Sequence, residues 1–217
     1  MTLKLYAHPF SAYCQKVLIA LWENDLPFTY RHLGEDDAIA EREQLWPLDR
    51  FPVLTDNGKV IPETSIIIEH LDLFHPGPIK LIPEDRARAL EVRFMDRFFD
   101  NFIMDEMQKP VFAAARDGEE AQQKALEVAA KSLDKSYAWL EQKLAGRTWA
   151  AGEAFSMADC AAAPALFYAD WVHQIGSQFP TVRAYRSRLL ERPSFARAVE
   201  EGRKYRHFFP LGAPDRD

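Results

Sequence analysis

The sequence changes texture once, and that change limits the folds open to it. Between Phe74 and Asp85 the chain reads FHPGPIKLIPED, with three prolines and a glycine between Pro76 and Pro83. Proline donates no backbone amide, so such a stretch neither continues a helix nor adds a central strand and marks a boundary. Before it, strand-like and helix-like signals alternate. After it, from about Glu84 to Lys204, the periodic runs all have helical spacing and no strand-like run of any length occurs. The expected organisation is an α/β domain over residues 1–75, a linker over 76–84 and an all-helical domain over 85–217.

Within the first part, Leu3 to His8 reads as a strand and Phe28 to Leu33 as a second one. Between them Ser11 to Asn24 carries Val17, Leu18, Leu21 and Trp22 at helical spacing. This is a β-α-β unit, whose strands run parallel through a right-handed crossover. A more polar helical stretch, Asp37 to Trp46, precedes two short apolar runs, Val53 to Thr55 and Lys59 to Ile61. They flank an Asp56-Asn57-Gly58 turn, a hairpin signal. A helix from about Glu63 to Leu73 follows. The order β-α-β-α-β-β-α predicts a mixed four-stranded sheet covered by helices.

In the second part, Leu90, Phe94 and Phe98, with Val92, Met95, Phe99 and Phe102 beside them, form a wide apolar stripe. Leu126, Leu133, Tyr137, Leu140 and Leu144 form another, and both are expected to be mostly core. AFSMADC is a sharper signal: Ser156 caps a helix, Asp159 reaches back to its amide, and Phe155 staples against Cys160. Such a cap contributes about 1 kcal/mol, so it serves folding rather than catalysis.

Charge argues against several partner classes. Asp and Glu number 33 against 27 Lys and Arg, a net of −6, with the signs interspersed; nucleic acid and anionic membrane are not expected partners. MTLKLYAHPF turns polar too soon for a secretory signal, and no window approaches the ~18 continuous apolar residues of a membrane span, so a cytoplasmic location is expected. The two cysteines, Cys14 and Cys160, are too few and too far apart for a disulfide framework. The six histidines show neither H-x-x-x-H nor C-x-x-H spacing, and no metal is expected.

Three stretches carry candidate chemistry. In YAHPFSAYCQKVLIALWE, Ser11 and Cys14 have the spacing of a C-x-x-C redox pair with one sulfur replaced by a hydroxyl. Ser11 sits at a helix N-terminus, where amides and dipole favour an anion. It reads either as a plain cap or as a hydrogen-bond donor to a thiolate brought by a ligand. No G-x-S-x-G turn supports a hydrolase nucleophile, and Cys14 reads as a small buried hydrophobe. In Phe51-Pro52-Val53, Pro52 belongs at a strand start or edge, with either isomer open to it; a cis bond would turn the Phe51 amide and carbonyl outward as a docking edge. In IPETSIII, Glu63 and Thr64 open a helix whose free amides suit a carboxylate, with Thr64 and Ser65 hydroxyls nearby and Glu63 placed to accept from an ammonium.

Taken in order, HPFSAYCQKVLIAL, LWPLDRFPVL, ETSIIIEHL, the helical second half and FSMADC resemble the glutathione S-transferase family over nearly the whole chain. The resemblance is to serine-type members, theta- and zeta-like. It implies a thioredoxin-like N-terminal domain, a helical C-terminal domain and a homodimer. It further implies a detoxifying transferase in which Ser11 stabilises the thiolate of reduced glutathione for attack on a small apolar electrophile. Phe51, before a cis Pro52, would pair with the cysteinyl part; Glu63 and Thr64 would hold the γ-glutamyl end. Arg50, at the place of a frequent family lysine, would reach the glycine carboxylate or stabilise the loop, and Asp100 would approach the partner subunit's glutathione. The electrophile would lie between the Phe10 loop and the early helices of the second half, near Phe102, Met104 or Phe112. Trp46 before Pro47, and Asp49 at a family glycine, depart from the pattern. The family also implies two alternatives, a glutathione-dependent isomerase or dehalogenase and a non-catalytic ligand- or partner-binding module.

Overall fold

A computed structural model of the chain describes residues 2–217. The N-terminal part runs β1 (Leu3–Ala7), α1 (Ala12–Glu23), β2 (Thr29–His32), α2 (Ala38–Leu45), β3 (Val53–Asp56), β4 (Lys59–Pro62) and α3 (Thr64–Phe74). Sheet order is β2-β1-β3-β4. β1 and β2 are parallel, with Leu5 opposite Tyr30; β1 and β3 are antiparallel, with Leu5 opposite Leu54. The β3–β4 hairpin turns on Asn57 and Gly58 at φ 48° and 87°. Both lie in the left-handed region that a tight two-residue turn requires, which is why the Asn-Gly pair is there.

The helical part comprises α4 (Arg86–Phe98), a π-helical turn (Phe99–Met104), α5 (Asp105–Arg116), α6 (Glu119–Lys143), α7 (Met157–Val172), α8 (Pro180–Leu190) and α9 (Pro193–Arg203). The sheet and helices of the first part form a thioredoxin-like unit against this helical one. Among the described residues no helix is long and apolar enough to cross a membrane.

α1 explains how the halves join. It is apolar nearly all round because both sides are covered: Cys14, Val17, Leu18 and Leu21 pack on the sheet. Ala12, Ile19 and Ala20 belong to the larger core built around α7. The proline-rich segment is an ordered strap. The Asn24 side-chain oxygen accepts from the Ile79 amide at 2.8 Å, Asp72 accepts from Leu81 at 3.0 Å, and the Leu81 carbonyl accepts from Met157 at 3.0 Å. Gly77 lies so close to Asn24 that a Cβ would sit 2.5 Å from it, which excludes a side chain there.

One expectation about the core needs correction. Val92, Met95, Phe98 and Phe99 are buried, but Leu90 (68 % exposed), Phe94 and Phe102 are not. The seven positions span about 200° of an α-helix, more than one packed face covers. The π-helical turn then advances the chain by fewer degrees per residue, so Phe102 rotates out of the phase that α4 sets. It stacks on Phe98 at 5.4 Å instead.

The Ser156 capping box is present. Its Asp159 does more than cap: wholly buried, it also accepts from the Ala150 amide at 2.8 Å and the Tyr185 hydroxyl at 2.6 Å. Asp159→Ala strands these donors, each costing about 1–3 kcal/mol if left unpaired. With some relaxation we expect a loss of about 2–3 kcal/mol in chemical denaturation. A loss below about 1 kcal/mol would reduce the residue to an ordinary cap.

Candidate functional site

The six residues singled out from sequence, Ser11, Arg50, Phe51, Pro52, Glu63 and Thr64, all line one cavity of about 600 Å³ between the sheet domain and α4–α5. A second cavity of about 400 Å³ adjoins it. Ser11, Phe51, Gln108 and Phe112 line both, so Ser11 stands at their junction.

Ser11 is the N-cap of α1 in extended backbone, and its Oγ accepts a long 3.5 Å bond from the Cys14 amide. The hydroxyl also lies against the Cys14 thiol, a weak acceptor, and the residue lines both cavities. The preceding loop is pinned from behind. Gln15 Nε2 donates to the Pro9 carbonyl at 2.8 Å, and the Tyr168 hydroxyl donates to the Phe10 carbonyl at 3.1 Å. His8 makes no bond to the Ser11 side chain; its Nδ1 accepts from the Phe10 amide at 3.2 Å, and burial, then the nearby His32, favours its neutral form. There is no serine–histidine nucleophile here. Cys14 is fully buried and its thiol is pushed up to about 12 by that burial, with Ser11 and His8 opposing. At neutral pH it is an inert thiol, as the hydrophobe reading expects. Tyr6 points away, its hydroxyl donating to Glu41 at 3.0 Å.

The second wall is the start of α3. Glu63 precedes it at φ 68°, ψ 121°, a left-handed conformation that costs a non-glycine residue on the order of 1–3 kcal/mol. Its side chain makes no cap bond, so the first amides of α3 stay free. Thr64 is buried beside them. Ser65, considered as a further carboxylate donor, is already committed: it donates to Asp96 at 2.6 Å and accepts from Lys16 at 3.0 Å and from Arg97. Lys16, 1 % exposed, lies 2.7 Å from Asp96 and 2.8 Å from Asp100. This buried cluster fixes α1, α3 and the π-helical turn relative to one another. Asp100 faces the cavity of its own chain, held by Lys16 and Arg97.

The third wall is the loop before β3. The Phe51–Pro52 bond is cis. Asp49 has φ 54°, the conformation that a glycine there would supply, and its carboxylate receives Arg42 at 2.6 Å. Asp tolerates this region better than most residues, so the departure from glycine preserves the turn. Arg50 is exposed at the rim.

Of the fourth wall's stripe only Phe112 is expected from sequence, and as a contact for the electrophile. Arg97, Asn101, Asp105, Gln108, Phe112 and Arg116 face the cavity from α4, the π-helical turn and α5. Their spacings of 4, 4, 3, 4 and 4 follow from their positions in the sequence and trace one stripe. Tyr13 joins them, its hydroxyl donating to Asp105 at 3.3 Å. Burial, then Asp100 and Asp105, raise its pKa and keep it a neutral phenol. The cavity thus presents both signs: Arg50, Arg97 and Arg116 against Asp49, Glu63, Asp100 and Asp105.

The second cavity is mainly apolar, with Phe10, Met107, Val111, Tyr168, Phe208 and Phe209 on its walls. Of the three side chains expected beside it, only Phe112 lines it. Met104 is in the core at 1 % exposure and Phe102 is on the outer surface. The C-terminal segment takes their place because Phe209 packs against Trp171 at 5.3 Å.

Comparison with known proteins gives the same assignment twice over. Residues 5–78 match the family described as "Glutathione S-transferase, N-terminal domain" and residues 102–193 match "Glutathione S-transferase, C-terminal domain". Glutathione S-transferase U25 of Arabidopsis thaliana is 27 % identical over 209 residues, covering 92 % of this chain and 90 % of that one. FtsZ-localized protein A of Caulobacter vibrioides is 30 % identical over 212 residues, 88 % of each. A glutathione S-transferase of Methylobacillus flagellatus, solved with glutathione bound, superposes with a TM-score of 0.77 at 25 % identity, covering 90 % of this chain and 98 % of that one.

Proposed function

Because the chain belongs to the glutathione S-transferase family, we propose that it is a serine-type glutathione transferase whose larger cavity holds reduced glutathione and whose smaller one holds an apolar electrophile. The observation that carries this is the position of Ser11 where the two cavities meet. Glutathione bears an ammonium and two carboxylates, and the larger cavity offers groups of both signs. The α3 amides and Thr64 receive the γ-glutamyl carboxylate, and Glu63 accepts from its ammonium. The Phe51 backbone pairs with the cysteinyl unit, and Arg50 takes the glycine carboxylate.

That placement brings the sulfur to Ser11. One O–H donor to a charged acceptor contributes about 1.5–3 kcal/mol, enough to lower a thiol pKa by about one to two units. The thiol proton passes to water and the thiolate attacks an electrophilic carbon across the junction. A carbon–sulfur bond forms as a leaving group departs with its electron pair or, for an activated double bond, as the π pair moves away and is protonated by water. The exposed apolar residues Ile66 and Leu73 of α3 and Leu90 and Phe94 of α4 support a homodimer built on these helices.

Steady-state conjugation against a panel of apolar electrophiles tests the pairing of cavities. Phe112→Ala is expected to raise the KM for apolar electrophiles about tenfold, a loss of about 1.4 kcal/mol of apolar contact. Kinetics unchanged across the panel would exclude the smaller cavity as the electrophile site. The relative FtsZ-localized protein A favours a second reading, a module that binds a protein partner. Glutathione binding without turnover of any electrophile would select it.

A further inference from the structure

Far from Ser11, at the opposite end of α3, three metal-ligating side chains converge: Asp56, His70 and His75. Asp56 ends β3, His70 lies on the last turns of α3, and His75 follows that helix as its C-cap. The Asp56 Oδ2 atom is 2.9 Å from His70 Nε2 and 2.6 Å from His75 Nε2, and all three donor atoms lie within 4.8 Å of one another. On a continuing helix, residues five apart point in different directions. Here the helix stops at Phe74, and the non-helical backbone of His75 (φ −135°, ψ 55°) leaves its ring beside His70.

The carboxylate is oriented for this arrangement. Its other oxygen, Oδ1, accepts from Asn57 Nδ2 at 2.8 Å, while the Asn57 carbonyl oxygen of the side chain receives the Thr2 amide at 3.2 Å. The tight turn therefore fixes Asp56 with Oδ2 toward both imidazoles, the kind of outer support that holds metal ligands in place.

We propose that Asp56, His70 and His75 form a binding site for a divalent metal ion of the zinc class. Two imidazole nitrogens and one carboxylate oxygen are the donor set of open zinc sites, which keep a fourth position for water. A tetrahedral ion with bonds of about 2.0–2.1 Å places its donors about 3.3 Å apart, so the present spacing needs only small side-chain rotations to receive it. The side chains are about one-tenth exposed (9–11 %), which leaves that fourth position open to solvent. Binding would tie the end of α3 to the β3–β4 hairpin. His70 and His75 lie about 9 and 16 Å along the helix from Thr64, so the site is separate from the anion-binding end at Glu63 and Thr64.

The test is a calorimetric titration of zinc chloride into the chelator-treated, tag-free full chain, repeated with cobalt(II) to read its visible absorption. The expected result is one ion per chain at micromolar affinity or tighter, with the intense cobalt bands of a four-coordinate site. His70→Gln and His75→Gln are each expected to weaken binding by at least about tenfold. Both rings are near the surface, so these variants should keep the wild-type circular dichroism and glutathione affinity. Affinity no better than millimolar, or binding that either histidine variant leaves unchanged, overturns the proposal whatever the glutathione site does.

Discussion

Ser11→Ala is expected to lower kcat/KM for the proposed glutathione conjugation by about 10²-fold while glutathione affinity changes only a few-fold. The magnitude is that of removing one preorganised donor from a developing or stabilised anion, about 2.7 kcal/mol. The split between turnover and affinity follows from the geometry. The groups proposed to hold the ends of glutathione, Glu63, Thr64 and Arg50, lie on other elements of the cavity and are untouched by the substitution. Loss of the cap on α1 is a small structural effect, since the Oγ bond to the Cys14 amide is already long at 3.5 Å. A variant that keeps full turnover would leave Ser11 as a cap only. One that loses affinity and turnover equally would make it an anchor for the ligand rather than an activator of the thiol.

Lys16→Met is expected to cost about 3–5 kcal/mol of stability, the largest effect of any single substitution considered, because it leaves Asp96 and Asp100 buried without their shared cation. Arg97 remains, but its side chain is half exposed and compensates in part. The pH dependence has a definite sign. Burial holds the Asp100 carboxyl above its ordinary range, with Lys16 the strongest opposing influence. A carboxyl raised in the folded state favours folding below its unfolded value and loses that contribution as pH rises through the folded one. Removing Lys16 raises it further. The variant should therefore lie nearer to wild type at mildly acidic pH than at pH 7 in urea unfolding, and a penalty independent of pH would contradict the assignment.

The thioredoxin-like half was legible because each of its signals is local. Ser11 and Asn24 bound α1 as its two caps, and the Asn-Gly turn fixes the hairpin. The cavity walls at α3 and before β3 followed from the same local features: a helix start at Glu63 and a proline at Pro52. The opposite wall did not. Its polar stripe from Arg97 to Arg116 is visible in the sequence, but its register crosses a π-helical turn that moves Asn101 and Phe102 out of the α4 phase. Lys16 lies in an apolar helix with nothing local to mark it as buried; two aspartates some eighty residues away make its burial possible. The C-terminal Phe208 and Phe209 have no periodic pattern at all, and tertiary packing alone brings them to the apolar cavity. His70 and His75 lack any metal-ligand spacing because the hairpin, not the helix, supplies the residue that joins them.

Whether the protein activates a thiol is read most directly from the far-ultraviolet thiolate absorbance of bound glutathione as a function of pH, in wild type and in Ser11→Ala. In the wild type the bound thiol should ionise about one to two units below its free value near 8.5, and in Ser11→Ala most of that shift should vanish. Glutathione that binds the wild type with an unshifted thiol pKa, or a shift that survives the loss of the hydroxyl, would contradict the account.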